Sequence, residues 1–240
     1  VGFLSKSMGE LVLGRTGAPT TGALFATNAF LGSTVFSSSF VNHWADTVQG
    51  DTSMSNTVRY VSPVLGGLRT YLLYSFGEER SAPPDQDRGE AFDGRIDYAA
   101  GPWLLTLAGR QIDMSTNEDG REQTTIITGA AYDFGVVRLF GQYITVDDSF
   151  ANAASDVDRK GFTAGARVPI GLGFAMASYS RSSIDDANAA SPSRRTTYAV
   201  GYDYSLSKRT DIYANLLTDK LTEPTGTKFT RLGIGIRHLF

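Results

Sequence analysis

The chain has 240 residues, of which 20% are charged and 41% hydrophobic, and its formal net charge is −3. That balance excludes the strongly basic profile of a nucleic-acid-binding domain and the apolar-poor profile of a disordered chain. No apolar run reaches the ~18 residues that mark a transmembrane helix, but a membrane-spanning strand needs only about 9–11 residues with every second one apolar. Cysteine is absent, which removes disulfides, thiolate metal sites and cysteine nucleophiles together. With 26 Gly, 11 Tyr and 14 Phe, the composition points to an all-β chain.

The chain opens with VGFLSKSMGELVLG, already inside an alternating pattern and without an initiator Met, as expected of a processed or truncated chain. Thirteen strands are predicted in order, near 1–6, 10–15, 55–63, 67–77, 91–100, 102–113, 123–133, 136–146, 160–169, 172–182, 195–205, 209–218 and 227–240. Short turns centred on Gly66, Gly101, Gly135, Gly171 and Ser207 recur at spacings of 35, 34, 36 and 36 residues. Between them lie longer polar loops at 77–90, 115–122, 147–160, 185–194 and 219–226. Strict alternation of short turns and long loops describes an up-and-down antiparallel meander, the pattern of a transmembrane β-barrel. One interval breaks it. The first turn centres near Gly9, and the excess chain before Gly66 falls in 16–55, a long insertion of the kind that carries function.

Side chains alternate faces along each strand. Phe92, Ile96 and Tyr98 oppose Asp93, Arg95 and Asp97; Trp103, Leu105 and Leu107 oppose Thr106, Ala108 and Arg110; Leu139 and Tyr143 oppose Arg138 and Gln142. In lipid a mid-strand charge is costly, whereas in a wet lumen it is not, so recurrent mid-strand arginines favour an apolar outer face and a polar inner one. Tyr74, Phe76, Tyr98, Trp103, Tyr132, Tyr143, Tyr179 and Tyr204 cluster toward strand ends, as interfacial girdles do.

LGR (13–15), NTVRYVSP (56–63), GYDYSLSKRTDIYANL (201–216) and GIGIRHLF (233–240) resemble the trimeric general porins of Gram-negative outer membranes, closest to the betaproteobacterial type. The resemblance implies one barrel domain over residues 1–240, sixteen strands in the intact protein with about thirteen present here, and a third loop folded inward. Counted back from Phe240, that loop is 16–55, so the chain looks like a porin without its first three strands. The implied activity is passive diffusion of small hydrophilic solutes and ions through a water-filled pore, without catalysis or cofactor. The implied partners are outer-membrane lipid and lipopolysaccharide, the barrel assembly machinery and two further copies in a homotrimer.

By resemblance Arg15 joins a basic cluster facing the loop; by strand parity Arg59, Arg69, Arg95, Arg110 and Arg138 line the lumen, with Asp46 and Asp51 as the loop's few acids. Inward acids are fewer, mainly Asp93, Asp97 and Asp203, which implies a weak preference for anions. No metal site is expected; the acidic outer residues Glu78, Glu79, Asp147, Asp148, Asp156, Asp158, Asp185 and Asp186 read as solvated loop charge, with a weak signal for a divalent-cation bridge to lipopolysaccharide. An enzyme is disfavoured, because His43 and His238 stand alone without a nucleophile–base spacing. A soluble carbohydrate-binding module and a substrate-specific channel are the other readings, the second because Phe25, Phe30, Phe36, Phe40 and Trp44 crowd the long loop. Leu232, Ile234 and Ile236, ending on Phe240, form the strand that the resemblance marks as the assembly signal. Phe240→Ala is expected to reduce barrel insertion, measured as the folded fraction on a heat-modifiability gel, without changing the conductance of channels that do assemble.

Overall fold

The computed structural model describes residues 1–30, 33–45, 48, 52–77, 89–114, 120–150, 152, 156–187, 192–222 and 226–238. Thirteen strands form one antiparallel sheet in sequential order. They are β1 Gly2–Ser5, β2 Gly9–Gly17, β3 Ser53–Val61, β4 Leu68–Phe76, β5 Glu90–Ala100, β6 Trp103–Asp113 and β7 Glu122–Asp133. These continue as β8 Arg138–Ser149, β9 Val157–Ile170, β10 Gly173–Asp186, β11 Ser193–Ser205, β12 Thr210–Leu221 and β13 Lys228–His238. Every predicted strand is present. Gly66, Gly101, Gly135 and Gly171 have φ of 59°, 55°, 82° and 59°, the left-handed conformation that tight turns demand and that glycine adopts without strain.

Two features differ from the expectation. On the long-loop side β8 to β11 run several residues further than their apolar alternation, so Asp147, Asp148, Asp158, Asp185 and Asp186 are strand residues rather than loop residues. Hydrophobic periodicity ends where the outer face leaves the apolar layer, but the backbone ladder continues. The second difference lies inside 16–55, where a short helix, α1, spans Pro19–Ala26 and a π-turn spans Phe40–Trp44. Pro19 occupies the first helical turn, where a missing N–H costs nothing. Eight residues are too few for a free helix; this one is held by burial of Pro19, Thr20, Thr21, Ala23 and Leu24.

The sheet's two faces are sorted as parity predicts. The outer face exposes Leu72, Phe92, Ile96, Leu105, Leu107, Ile126, Leu139, Tyr143, Phe162, Tyr198, Val200 and Ile234. A sheet that is apolar on the outside has no such face left to build a core, and here the core is made against the long loop. Ala23, Leu24, Trp44 and Val48 pack on Ala108, Ile127, Ile144 and Val146. Ala29, Phe30, Phe36 and Val41 pack on Ala131, Phe140, Met176, Ala199 and Leu217. Ala18 and Met54 pack on Leu73, Ala91 and Ile112. The loop therefore lies along the inner wall from β4 to β12, and the inner face is apolar wherever the loop covers it.

Candidate functional site

The uncovered part of the inner face near α1 is basic. Antiparallel pairing sets Tyr71 opposite Val61 on β3 and opposite Arg95 on β5; Arg69 faces Asp97, and Arg59 faces Leu73. Tyr71 thereby becomes a platform between two guanidinium groups, with Arg69 Cζ 5.5 Å and Arg95 Cζ 4.9 Å from its ring centroid. Both distances lie in the range where the ring quadrupole attracts a cation. Arg95 also donates from Nε and Nη2 to the two carboxylate oxygens of Asp97, at 2.7 and 2.6 Å, while Arg59 donates to Glu10 Oε1 at 2.9 Å.

Facing this wall is one side of α1 and its entry: Gly17, Ala18, Pro19, Thr21, Gly22 and Phe25. Between wall and helix is a cavity of about 330 Å³ that Arg59, Tyr71 and Arg95 also line. Gly22 lets the helix and Arg95 approach closely, since a Cβ at this position would push the Arg95 guanidinium aside. Among the described residues the charged side is thus on the strands, and α1 presents none.

The loop is fastened beside the cavity by an ion pair that does not face water. Asp93 and Arg110 have fully buried side chains, and Arg110 Nε donates to Asp93 Oδ2 at 3.0 Å. Asp93 also accepts from the backbone N–H and hydroxyl of Thr20, at 3.0 and 2.8 Å, so it satisfies one of the donors left free in the first turn of α1. Its negative charge sits where the helix dipole favours one. Arg110 Nη2 donates to Thr20 Oγ1 at 2.7 Å, and its guanidinium lies 5.0 Å from the Trp44 ring centroid.

The residues singled out by sequence therefore have different fates. Arg59, Arg69 and Arg95 come together. Arg110, on the same inner parity, lies under the loop as an anchor and not in open lumen. Arg15 occupies a β-bulge between Gly14 and Thr16, is exposed, and donates to Ser55 Oγ at 2.9 Å. It is not among the residues lining the cavity. Arg138 is remote, at the short-turn end of β8, paired across strands with Arg167 and stacked 5.4 Å from the Phe140 ring. Asp46, Asp51, Glu78, Glu79 and Phe240 lie outside the described residues; Leu232, Ile234 and Ile236 are exposed on the outer face of β13.

Several participants were not singled out by sequence. Glu10 is legible only through its register with Val61, two residues from Arg59. Tyr71 reads as one aromatic among many until both arginines are placed around it. Asp148, counted among the loop acids, is buried and paired with Arg121 and Arg159 at 3.3 and 3.1 Å. A hydroxyl wall was also unmarked: Ser180 bonds Thr163 and Ser38, and Ser38 bonds Ser178, all within 2.7–2.8 Å. His43 closes this wall. It is buried, with Nε2 3.1 Å from Thr163 Oγ1 and 3.3 Å from the Phe162 carbonyl, over Gly161, where a Cβ would strike the ring.

Burial lowers His43 to about 4, against a partial rise from its bond to the Phe162 carbonyl and a further lowering from Arg195. Because the folded value lies below the unfolded one, its contribution is complete above about pH 6.5 and is lost as pH falls toward 4, by up to about 3 kcal/mol. A melting midpoint that declines between pH 6.5 and 4, with that decline reduced in His43→Gln, is the expected result. Asp93→Asn leaves Arg110 buried without its counter-charge, and a loss of about 3–5 kcal/mol is expected, read as a lowered heat-modifiability temperature and greater open-channel current noise.

Three comparisons bear on this arrangement. A model of the family described as Gram-negative porin matches residues 1–223. Outer membrane porin protein 32 of Delftia acidovorans is 26% identical over 261 residues, which cover 99% of this chain and 72% of that protein. An outer membrane porin of Bordetella pertussis is 27% identical over 221 residues, covering 77% of this chain and 57% of its own length. Among solved structures, the anion-selective porin from Comamonas acidovorans superposes with a TM-score of 0.83 at 25% identity, covering 98% of this chain and 75% of that one.

Proposed function

The chain belongs to the Gram-negative porin family, and on that premise we propose that its pore selects for anions at the wall formed by Arg59, Arg69, Tyr71 and Arg95. The protein is an outer-membrane β-barrel channel for passive diffusion, not an enzyme. In the proposed reading, residues 16–55 form the constriction, and α1 narrows the pore against the arginine wall. The channel assembles as a homotrimer among outer-membrane lipid and lipopolysaccharide, after insertion by the barrel assembly machinery.

One observation carries the selectivity. Two guanidinium groups, of Arg69 and Arg95, flank Tyr71 and that of Arg59 lines the same cavity, with two carboxylates, Glu10 and Asp97, beside them, while the facing turn of α1 carries no charge. The local field is therefore positive, and among the described residues α1 brings no charge to oppose it. Arginine presents a planar guanidinium with a rigid fork of donors. Its planar donors replace part of an anion's hydration shell as the ion passes, and being partly neutralised by Glu10 and Asp97 they hold it weakly enough for release. The solved relative of the same fold is itself named anion-selective, which supports the reading. Of the five loop aromatics, Phe25 lines the cavity, whereas Phe30, Phe36 and Trp44 are buried against the wall. A substrate-specific channel built on an aromatic slide therefore has less support than a charge-selective one.

In a KCl gradient the reversal potential is expected to have the sign of chloride selectivity. A unit charge about 6 Å from a permeating ion in water favours an anion and disfavours a cation by about 0.7 kcal/mol each, so Arg95→Gln and Arg59→Gln should each lower the anion-to-cation permeability ratio by up to about tenfold. Cation preference in the unsubstituted channel would overturn the proposal.

A further inference from the structure

The strands that cross the apolar layer continue beyond it, and their outer face there is not uniform. Lys160 on β9, Ser183 on β10 and Arg194 on β11 stand directly opposite one another across three strands. Arg181 lies two residues below Ser183 on the same face of β10, opposite Phe162 and Thr196. Neighbouring strands are about 4.8 Å apart and a two-residue step is about 6.6 Å, so the three cationic side chains spring from a triangle about 10 Å across. They border a hollow of about 380 Å³ whose other walls are Tyr143, Phe162, Ser182 and Ser183. All three are exposed, and among the described residues none makes an ion pair with a carboxylate.

The hollow has a definite height. Below it the outer face is aromatic: Phe162 and Tyr179 have ring centroids 5.8 Å apart, and Tyr179 and Tyr198 5.1 Å apart. Phe162 and Arg181 lie nine and ten residues from the Gly171 turn. At about 3.3 Å per residue and a tilt of about 40°, that places them about 23–25 Å above the turn, close to the full height of the apolar band. Above the hollow is a carboxylate row, Asp147, Asp158 and Asp185, in direct cross-strand register on the same face. An anion is thus repelled from above, where Asp147 also attracts Lys160, and excluded from the apolar layer below; among the described residues of this face the favoured level is that of Arg181, Lys160 and Arg194.

We infer that this hollow binds a phosphorylated glycolipid headgroup of the outer leaflet, with Lys160, Arg181 and Arg194 holding the phosphomonoester, Ser183 donating a hydroxyl to it, and the acyl chains running down over Phe162, Tyr179 and Tyr198. Charge complementarity supplies the attraction, the polar hollow accepts a sugar, and the aromatic belt meets the start of the chains. The site faces away from the pore and needs nothing from the constriction; it rests only on the chain being an outer-membrane barrel.

The test uses the delipidated porin in detergent, with diphosphoryl lipid A, its dephosphorylated form and inorganic phosphate offered separately, and retention read by native mass spectrometry. The unsubstituted protein should retain diphosphoryl lipid A at least about tenfold better than the dephosphorylated form, and better than the combined variant Lys160→Gln, Arg181→Gln, Arg194→Gln by a similar factor. The charge-conserving variant Lys160→Arg, Arg181→Lys, Arg194→Lys should keep most of the binding. Reversal potential and conductance should be the same in all three proteins, so a failure of the lipid site is distinguishable from a failure of the anion-selective reading. Equal retention by the Gln variant, or equal retention of the dephosphorylated lipid, overturns the proposal. Competition by millimolar inorganic phosphate as effective as the lipid itself assigns the hollow to free phosphate and overturns the headgroup.

Discussion

Asp93 and Arg110 neutralise each other in a place that water does not reach, and the remainder of the interior depends on that pair. Removing two charges from water is costly unless every donor and acceptor around them is used. Here Thr20 completes the set with its amide and hydroxyl, so the start of α1 cannot leave the wall without exposing an unsatisfied carboxylate. Once the helix start is fixed, Gly22 meets Arg95, Phe25 turns to the cavity, and Trp44 lies over Arg110. The hydrophobic contacts spread along β4 to β12 hold the loop's length, but the ion pair sets its register relative to the arginines.

The architecture also reverses the usual division of labour between sheet and loop. In a soluble sandwich, sheets bury each other and loops wander over the surface. Here the sheet turns its apolar face outward, and the loop supplies the missing half of the core. That explains why the inner wall is not uniformly polar. Ile127, Ile144, Val146 and Leu217 face inward because the loop is there to cover them, whereas Arg59, Arg69 and Tyr71 face inward where it leaves a gap.

Most of the fold was legible because two-residue periodicity and turn spacing are local signals, and thirteen strands with glycine at four of five turn centres follow from them directly. What was not legible depended on the path of one loop through space. Arg95 and Arg110 are the same residue type with the same inward parity on adjacent strands, and nothing in their neighbours predicts that one lines a cavity and the other is sealed under Trp44. Arg15, placed by resemblance and not by parity, is a third case: it sits at a bulge, which adds a residue to one strand, and it is bonded to Ser55 apart from the cavity lining. Asp148 was read as loop charge because alternation of apolar residues had already stopped, although the hydrogen-bonded ladder had not. Hydrophobic pattern reports the apolar layer, not the strand.

The path of residues 16–55 across the inner wall has one more consequence, a mechanical one. Attached at β4, at β6 through Arg110, and as far as β12 through Leu217, the loop spans the wall like an internal brace. A barrel of strands resists stretching along its hydrogen bonds but shears and ovalises easily between them, and a brace fastened at several points across the wall opposes that distortion. Lateral pressure from the surrounding bilayer is therefore carried in part by this segment, so the position of α1 and the shape of the wall cannot change independently.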